Sequence, residues 1–197
     1  SINTGKELGV KFKPMAGTEA RVAFWQQDAT EEVANMPSTG PTVGLGQTRR
    51  KGIDFQLTSR VTDALTVWFS HALQEAKVVS AYTASGASLA GKEVFSTPRY
   101  ISNLGAEYKA TPSLRLGVQG RAQGNYYIDD LNAQGKYGGF AVLDASLRYT
   151  ISPATSLDLQ LKNLTDRQYE YVWYDNFFWG GADQPMFSPA PGRSGYL

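Results

Sequence analysis

The sequence carries a dense run of aromatic side chains near its C-terminus. Within residues 169–179 seven of the eleven residues are aromatic: Tyr169, Tyr171, Trp173, Tyr174, Phe177, Phe178 and Trp179. Aromatic faces bind amphipathic ligands, and Tyr and Trp add a polar group at the ring edge. We therefore predict ligand contacts in this segment, namely Trp173, Tyr174, Phe177, Phe178 and Trp179. The alternative stays open that Tyr169, Tyr171 and Trp173 anchor a membrane interface while the other rings pack the loop.

A second pair of rings and a nearby cation extend this prediction. Tyr126 and Tyr127 lie in an earlier long link, and Arg121 lies at the end of the alternating segment that precedes it. A guanidinium group binds anionic ligands through charge-assisted hydrogen bonds. We predict Tyr126, Tyr127 and Arg121 as further ligand contacts. The alternative is that Arg121 and Gln123 pair across neighbouring strands.

Residue types that support catalysis or metal binding are scarce. The sequence has no Cys and a single His, His71, which argues against thiolate sites, disulfides and a Ser-His-Asp triad. The acidic pairs Glu31-Glu32 and Asp129-Asp130 lack the spacing of an EF-hand. We predict that the protein is not an enzyme and that it has no metal site and no cofactor.

Eight alternating segments are predicted to position these residues. In residues 157–162 three leucines alternate with Asp, Gln and Lys. The same period of two recurs in residues 7–12, 20–25, 53–58, 65–70, 103–108, 114–119 and 143–149. A period of two predicts strands with one apolar and one polar face, and no segment favours a helix. The chain is therefore predicted to be all-β and antiparallel.

The links between these segments alternate between short and long. Tight turns are predicted at 13–18, 59–64, 109–113 and 152–156, and long links at about 28–47, 76–98, 125–138 and 167–191. Loops longer than about 12–15 residues are uncommon in compact domains, whereas short turns at one end and long loops at the other are typical of outer-membrane barrels. In such a barrel the leucines face lipid and the charges face the lumen. A soluble antiparallel sandwich or lipocalin-like barrel is the alternative.

Turn positions predict specific neighbours on the polar face. A turn centred on Thr111 places Glu107 opposite Arg115, and one centred on Pro153 places Arg148 opposite Asp158. His71 shares the parity of the leucines and is predicted at the outer end of its strand, beyond the membrane.

The composition narrows the classes of partner. The formal net charge is +1 without a block of like charges, whereas nucleic-acid binding calls for a basic patch. The N-terminus lacks the pattern of a signal peptide, and no run of about 18 apolar residues predicts a membrane helix. Membrane-spanning strands stay open, because each needs only about 9–11 residues.

Four segments resemble elements of the TonB-dependent outer-membrane receptors, the family of ferric siderophore receptors. Residues 161–169, Leu-Lys-Asn-Leu-Thr-Asp-Arg-Gln-Tyr, resemble the end of the penultimate strand in that family. Pro191-Gly192-Arg193 follows at the spacing expected for the start of the last strand. Residues 47–55 and 97–100 resemble two further elements, and all four occur in the family's order.

The resemblance implies an architecture and a function. Residues 1–197 would form the C-terminal portion, about eight to nine strands, of a transmembrane β-barrel of about 22 strands, with the plug domain absent from this chain. The receptor would lie in the bacterial outer membrane, in contact with its lipid. It would bind a ferric siderophore at its extracellular loops and import it with energy from the TonB–ExbB–ExbD system, through the plug. Another cargo, such as cobalamin, another metal chelate or a sugar, and a passive porin-like barrel are the alternatives.

Overall fold

The computed structural model describes residues 2–35, 42–83, 85–175 and 184–197, without the side chains of 33–35, 42–44 and 175. Within these ranges every helix or strand element is a β-strand. The strands are β1 (Ile2–Met15), β2 (Thr18–Asn35), β3 (Thr42–Arg60), β4 (Leu65–Ser80), β5 (Tyr100–Lys109), β6 (Leu114–Gln123), β7 (Tyr126–Tyr127), β8 (Lys136–Tyr137), β9 (Phe140–Ser152), β10 (Thr155–Lys162), β11 (Glu170–Asp175), β12 (Gln184–Pro189) and β13 (Ser194–Tyr196).

Nine of these strands form one antiparallel sheet in the order β1-β2-β3-β4-β5-β6-β9-β10-β13. The eight predicted strands all belong to it, and β13 is the beginning of a ninth, so this part of the prediction is confirmed. The hairpins β7–β8 and β11–β12 form two separate sheets within the long links. No described residue belongs to a helix long and apolar enough to cross a membrane.

The predicted long links contain more strand than the sequence indicated. β2 continues to Asn35 and β3 begins at Thr42, so most of the predicted link 28–47 is a paired hairpin. β4 likewise continues to Ser80. Pairing continues because backbone hydrogen bonds do not depend on the alternation of side chains, which is the signal that stops there.

One face of the main sheet, here called the leucine face, carries ladder rows of apolar side chains. Its outermost complete row over the first four strands runs Leu8, Phe24, Ile53, Leu73, each opposite the next in the ladder. All four side chains are exposed, Leu8 to 71%. A contiguous exposed apolar face of this size requires an apolar partner or solvent to cover it.

The opposite face, here called the polar face, carries charges paired across strands. Arg148 lies opposite Asp158, as predicted, with Nε 2.6 Å from Oδ1. The predicted register at the preceding turn is wrong, because Arg115 lies opposite Lys109 and the turn is centred on Pro112. Arg115 still reaches Glu107 diagonally at 3.8 Å.

Glycine allows a large ring to lie flat on this polar face. Trp68 lies directly opposite Gly105 in the ladder. A Cβ on Gly105 would come within 2.2 Å of the Trp68 ring, a distance that no packed atom pair tolerates. Any larger residue at this position would displace the indole.

His71 lies on the leucine face, as its parity predicted, but not beyond the apolar rows. Its ring stacks between Phe69 and Tyr100, with centroids 6.2 and 6.1 Å away, and Nδ1 lies 2.7 Å from the Ser102 hydroxyl. Leu73 lies further along the same strand and still belongs to the apolar face. The predicted position of His71 at the outer end of its strand is therefore wrong, because β4 continues beyond it to Ser80; its position relative to the membrane stays a prediction.

Candidate functional site

The two outer hairpins pack against each other through a small buried cluster. Tyr126, Ile128 and Val172 form its centre, with Tyr137 and Tyr174 packed around them. The Tyr126 hydroxyl donates to the Val172 carbonyl at 3.1 Å and accepts from the Val172 amide at 3.4 Å. Because the ring of Tyr126 is buried in this way, its observed role is to join the two hairpins, and its contact with a ligand stays a prediction.

Tyr127 lies half-buried beside a second network that ties in the loop 81–99. The Lys136 ammonium lies 4.5 Å from the centre of the Tyr127 ring. Lys136 and Arg99 both pair with Glu93, at 3.1 and 2.8 Å. Burial raises the pKa of Glu93, but the hydrogen bonds from Lys136 and Arg99 outweigh it and hold that pKa below its usual value. The Tyr127 ring thus packs against an ammonium group that is already paired with Glu93.

Strand β11 alternates between buried and exposed side chains. Val172 is 4% exposed and packs with Tyr174 in the cluster, whereas Trp173 is 42% exposed. Among the predicted contacts on β11, Trp173 is therefore the one whose ring is open to a ligand. Three other predicted contacts, Phe177, Phe178 and Trp179, lie outside the described residues.

A further group of rings lies at the end of the polar face nearest these hairpins. The Phe140 and Tyr169 rings are 4.4 Å apart, and the Tyr169 and Tyr171 rings 5.9 Å apart in an edge-to-face arrangement. Phe140 lies opposite Gln123 in the ladder and Val142 lies opposite Arg121, so Phe140 shares the face of Arg121. We call Phe140, Tyr169, Tyr171 and Arg121 the aromatic–cation cluster.

Electrostatics connect the members of this cluster. Burial raises the pKa of Tyr169, the hydrogen bond with Tyr171 adds to the rise, and the positive charge of Arg121 acts in the opposite direction. Within the described residues Arg121 has no carboxylate within 4 Å, whereas its neighbour Asp144 is paired with Lys162 at 3.2 Å and accepts from the Asn163 amide at 2.9 Å. The cluster therefore offers ring faces, phenol groups and a cation that forms no ion pair with the carboxylates of the described residues.

Sequence reasoning found Arg121 but missed its aromatic neighbours. Tyr169 and Tyr171 are left open as interface anchors by the sequence, and Phe140 is not among the residues predicted to bind a ligand. The sequence gives little signal for Phe140, because residues 140–143 are all apolar and the alternation of residues 143–149 stops there; the ladder register assigns Phe140 to the polar face. The contact of Phe140 with Tyr169 depends on the course of the chain after β10, which no local pattern encodes.

The segments that resemble a family signature form one structural latch. Asn163 adopts a left-handed conformation (φ 50°), its Oδ1 accepts from the Arg167 amide at 2.9 Å, and its Nδ2 donates to the Pro191 carbonyl at 3.4 Å. Asp166 Oδ1 accepts from the Arg193 amide at 2.8 Å. We call Asn163, Asp166, Arg167, Pro191 and Arg193 the loop latch, because it closes the two ends of the segment that carries β11 and β12.

Comparisons with known proteins agree with this architecture. The model of the TonB dependent receptor-like β-barrel family matches residues 2–164. The probable TonB-dependent receptor BfrD of Bordetella pertussis is 26% identical, over 100% of this chain and 26% of the relative. The metal-pseudopaline receptor CntO of Pseudomonas aeruginosa is 23% identical, over 92% of this chain and 26% of the relative. The chain thus spans about a quarter of the length of these relatives.

Among solved structures, the ferric yersiniabactin uptake receptor FyuA of Yersinia pestis superposes with a TM-score of 0.77. The match covers 97% of this chain and 28% of FyuA at 18% identity, which shows a common fold. Members of this family are transport receptors in the bacterial outer membrane rather than enzymes. With its family match over residues 2–164 and its open antiparallel sheet of nine strands, the chain belongs to the TonB-dependent receptors, as part of their transmembrane β-barrel.

Proposed function

We propose that this chain is the C-terminal portion of the barrel of a receptor that binds a ferric siderophore at its extracellular end and imports it with energy from TonB. The aromatic–cation cluster is the observation that carries this proposal. It lies at the end of the sheet that bears the long links, on the face that lines the lumen. A ligand entering from outside would meet it before the rest of the polar face.

The chemistry of the cluster favours an amphipathic anion. Ring faces bind flat apolar groups, and phenol groups donate hydrogen bonds at the ring edge. The Arg121 guanidinium offers donors in a rigid fork suited to carboxylate, hydroxamate or catecholate oxygens. Ferric siderophores combine these features, since they present charged oxygen donors on an organic scaffold. Trp173, which is exposed on β11, extends the aromatic surface outward.

The domain arrangement belongs to the same proposal. Residues 1–197 supply strands of a larger barrel, and both edge strands of the main sheet, β1 and β13, would pair with strands outside this chain, since an unpaired edge is not tolerated in lipid. A plug domain would fill the lumen. The TonB–ExbB–ExbD system would act on that plug and not on these residues.

Ligand titration of the full-length receptor in detergent tests the proposal. Saturable quenching of tryptophan fluorescence by ferric siderophores, with cobalamin as the control ligand, is the expected result. Arg121→Gln should weaken binding by about tenfold, because a hydrogen bond to a charged group contributes about 1.5–3 kcal/mol. Arg115→Gln is the matched control, since Arg115 lies on the same strand and the same face but near the opposite end.

The outcomes separate the site from the function. If Arg121→Gln and Arg115→Gln change the affinity for the siderophore equally, Arg121 is not part of the site, but the proposal of a siderophore receptor is unaffected. A receptor that shows no saturable response to any ferric chelate would contradict the siderophore proposal.

A receptor for a different metal chelate is the second candidate. The relative CntO, 23% identical over nearly the whole chain, is named a metal-pseudopaline receptor. The same titration, repeated with chelates of other transition metals, distinguishes the two. Preference for those chelates over ferric ones at equal concentration would favour this second cargo.

A further inference from the structure

The polar face changes its charge along the strands, from the long links to the short turns. We define its inner end as the polar-face residues among the five nearest each short turn on β1–β6, β9 and β10. The inner end carries seven cations, Lys11, Lys13, Arg21, Arg60, Lys109, Arg115 and Arg148, against three carboxylates, Glu19, Glu107 and Asp158, and a further carboxylate, Asp63, lies in a turn. Further out, the described part of this face carries Arg50, Arg121 and Lys162 against Glu7, Glu32, Asp54 and Asp144. Positive charge therefore accumulates at the inner end.

Three cations of the inner end are direct neighbours in the ladder. Lys109 lies opposite Arg115, and Arg115 lies opposite Arg148. We call these three residues the basic row. Like charges directly opposite each other destabilise a sheet, and the next strand places a carboxylate, Asp158, opposite Arg148. The sheet therefore has no packing reason for three adjacent cations, and such local conflicts are expected at functional sites.

Carboxylates compensate the charge of the basic row only in part. Arg148 Nε lies 2.6 Å from Asp158, whereas Arg115 reaches Glu107 only at 3.8 Å. Lys109 has no carboxylate within 4 Å in the part of the chain that the structure describes. The side chains of Arg115 and Arg148 are 51% and 58% exposed. The row thus presents accessible guanidinium groups to the lumen.

A hollow beside the row adds hydrogen-bond donors. It has a volume of about 360 Å³ and is lined by Arg115, Arg148 and the hydroxyl residues Thr150, Ser152 and Ser156. Among the described residues that line it, none carries a carboxylate. Guanidinium and hydroxyl groups both donate to anionic oxygens. The hollow is therefore suited to an anion that presents several oxygen atoms.

We propose that the basic row and this hollow form an exit site for an anionic ferric chelate, the last position on this wall that binds the cargo before it enters the periplasm. This inference rests on the proposed function. A cleft lined by one sign of charge concentrates ions of the opposite sign, so an anion released near Arg121 moves towards the short turns. The basic row acts on the transport step, whereas Arg121 acts on binding from outside.

Uptake of radiolabelled iron by cells that express the full-length receptor tests this site. The probes are a ferric tris-catecholate, which is an anion, and a ferric trihydroxamate, whose iron centre is neutral. The triple variant Lys109→Gln, Arg115→Gln, Arg148→Gln should lower the maximal rate of catecholate uptake by about fivefold, since each exposed ion pair contributes little. The half-saturation concentration and the affinity in the fluorescence titration should stay the same, as should uptake of the trihydroxamate. A loss of affinity without a loss of maximal rate would overturn the proposal.

A matched control separates position from net charge. The triple variant Lys6→Gln, Lys51→Gln, Lys77→Gln removes the same charge from the leucine face, near the long links. It should leave the uptake of both chelates unchanged. Equal slowing of catecholate uptake in both triple variants would make the effect one of net charge and would overturn the exit site.

A second measurement separates the cargo from an acidic segment of the proposed plug. If the basic row bound such a segment, its loss would loosen the plug, and protease would cut the plug faster in the receptor without ligand. The exit site predicts equal rates of cleavage in the unmodified receptor and the basic-row variant. Faster cleavage in that variant would overturn the exit site in favour of a contact with the plug.

A third measurement does not depend on the identity of the cargo. The full-length receptor is inserted in a planar bilayer, with urea on the side of the short turns to unfold the plug. In a gradient of potassium chloride, the reversal potential should indicate a stronger preference for anions in the unmodified receptor than in the basic-row variant. Equal reversal potentials would overturn the basic row as an anion site. A receptor that binds neither chelate would instead contradict the proposed function.

A single substitution covers the case in which the triple variant fails to assemble. Arg115→Gln removes the middle cation, which has a like charge on each side, so the unfolding midpoint of the barrel should not fall. Catecholate uptake should still slow by about twofold. A lower midpoint together with an unchanged rate of uptake would make Arg115 a structural residue and would overturn its place in the exit site.

Discussion

The main sheet and the two outer hairpins are both built from β-strands, but their apolar side chains are covered in different ways. In the sheet, apolar side chains such as Leu104 stay about half exposed (49%) because lipid supplies their contacts. In the hairpins β7–β8 and β11–β12, Tyr126 is only 8% exposed, because residues 46 positions apart along the chain cover each other. The sheet thus depends on its medium, and the hairpins depend on contacts between distant segments.

This difference determines what a substitution can do. On the sheet the penalty depends on which face a side chain occupies, since one face is in lipid and the other lines the lumen. In the hairpins the penalty depends on specific partners, and the loop latch is the point where the two regions meet. Three measurements separate these cases.

The largest effect is expected for a charge on the lipid-facing side of the sheet. Leu104→Lys should destabilise the barrel by about 2–4 kcal/mol, the usual cost of a lysine near the middle of the membrane. Gln119→Lys, on the polar face, should cost less than about 1 kcal/mol because its ammonium faces the lumen, opposite Asp144. Denaturant unfolding of the receptor in lipid vesicles measures both. Similar costs for the two variants would contradict the assignment of the faces.

An intermediate effect is expected at the loop latch. Asn163→Ala removes hydrogen bonds to Arg167 and Pro191 and places a residue with a Cβ but no polar side chain in a left-handed conformation. The local cost should be about 1–3 kcal/mol. Limited proteolysis should cut the segment between β10 and β13 faster in this variant, while the unfolding midpoint of the barrel stays the same. Asn163→Gly is the control, because glycine adopts the left-handed conformation readily but cannot form the side-chain hydrogen bonds. Its rate of proteolysis should lie between those of the unmodified protein and Asn163→Ala.

The smallest effect is a pH dependence of the outer loops. The pKa of Glu93 in the folded protein lies below its ordinary value of 4.5, so its ion pairs with Lys136 and Arg99 contribute fully above pH 4.5. Their contribution is lost as the pH falls below 4.5 and through the folded pKa. Hydrogen exchange in residues 85–99, corrected for the intrinsic effect of pH, should therefore rise in acid while exchange in β5 does not. The same rise in a Glu93→Gln variant would show that another group is responsible.

Local pattern was sufficient wherever the environment acts on each strand separately. Lipid on one side and water on the other enforce a period of two, so eight of the nine strands of the main sheet and their two faces could be predicted from alternation. The resemblance in residues 161–169 and 191–193 likewise identified the family. The structure adds that these two segments contact each other, through Asp166 and the Arg193 amide.

Local pattern failed where two distant segments determine the outcome. Arg115 lies opposite Lys109 in the ladder because of how the turn between β5 and β6 closes. A shift of one residue in the turn centre moves the register of the two strands by two residues. Val172 of the hairpin β11–β12 packs on Tyr126, which lies 46 residues earlier in the chain. No local sequence pattern connects two residues that far apart.

The sequence by itself determined that this protein consists of strands with one apolar and one polar face, with short turns at one end and long links at the other. This is possible because the apolar and polar surroundings of each strand select apolar and polar residues in alternation along it. Only the tertiary structure brought Tyr169 into contact with Phe140 on the face of Arg121, and only the ladder register aligned Leu8, Phe24 and Ile53 in one apolar row. Both groupings are made of residues far apart in the chain. Their proximity follows from strand pairing and loop closure, which depend on the whole sheet rather than on any one segment.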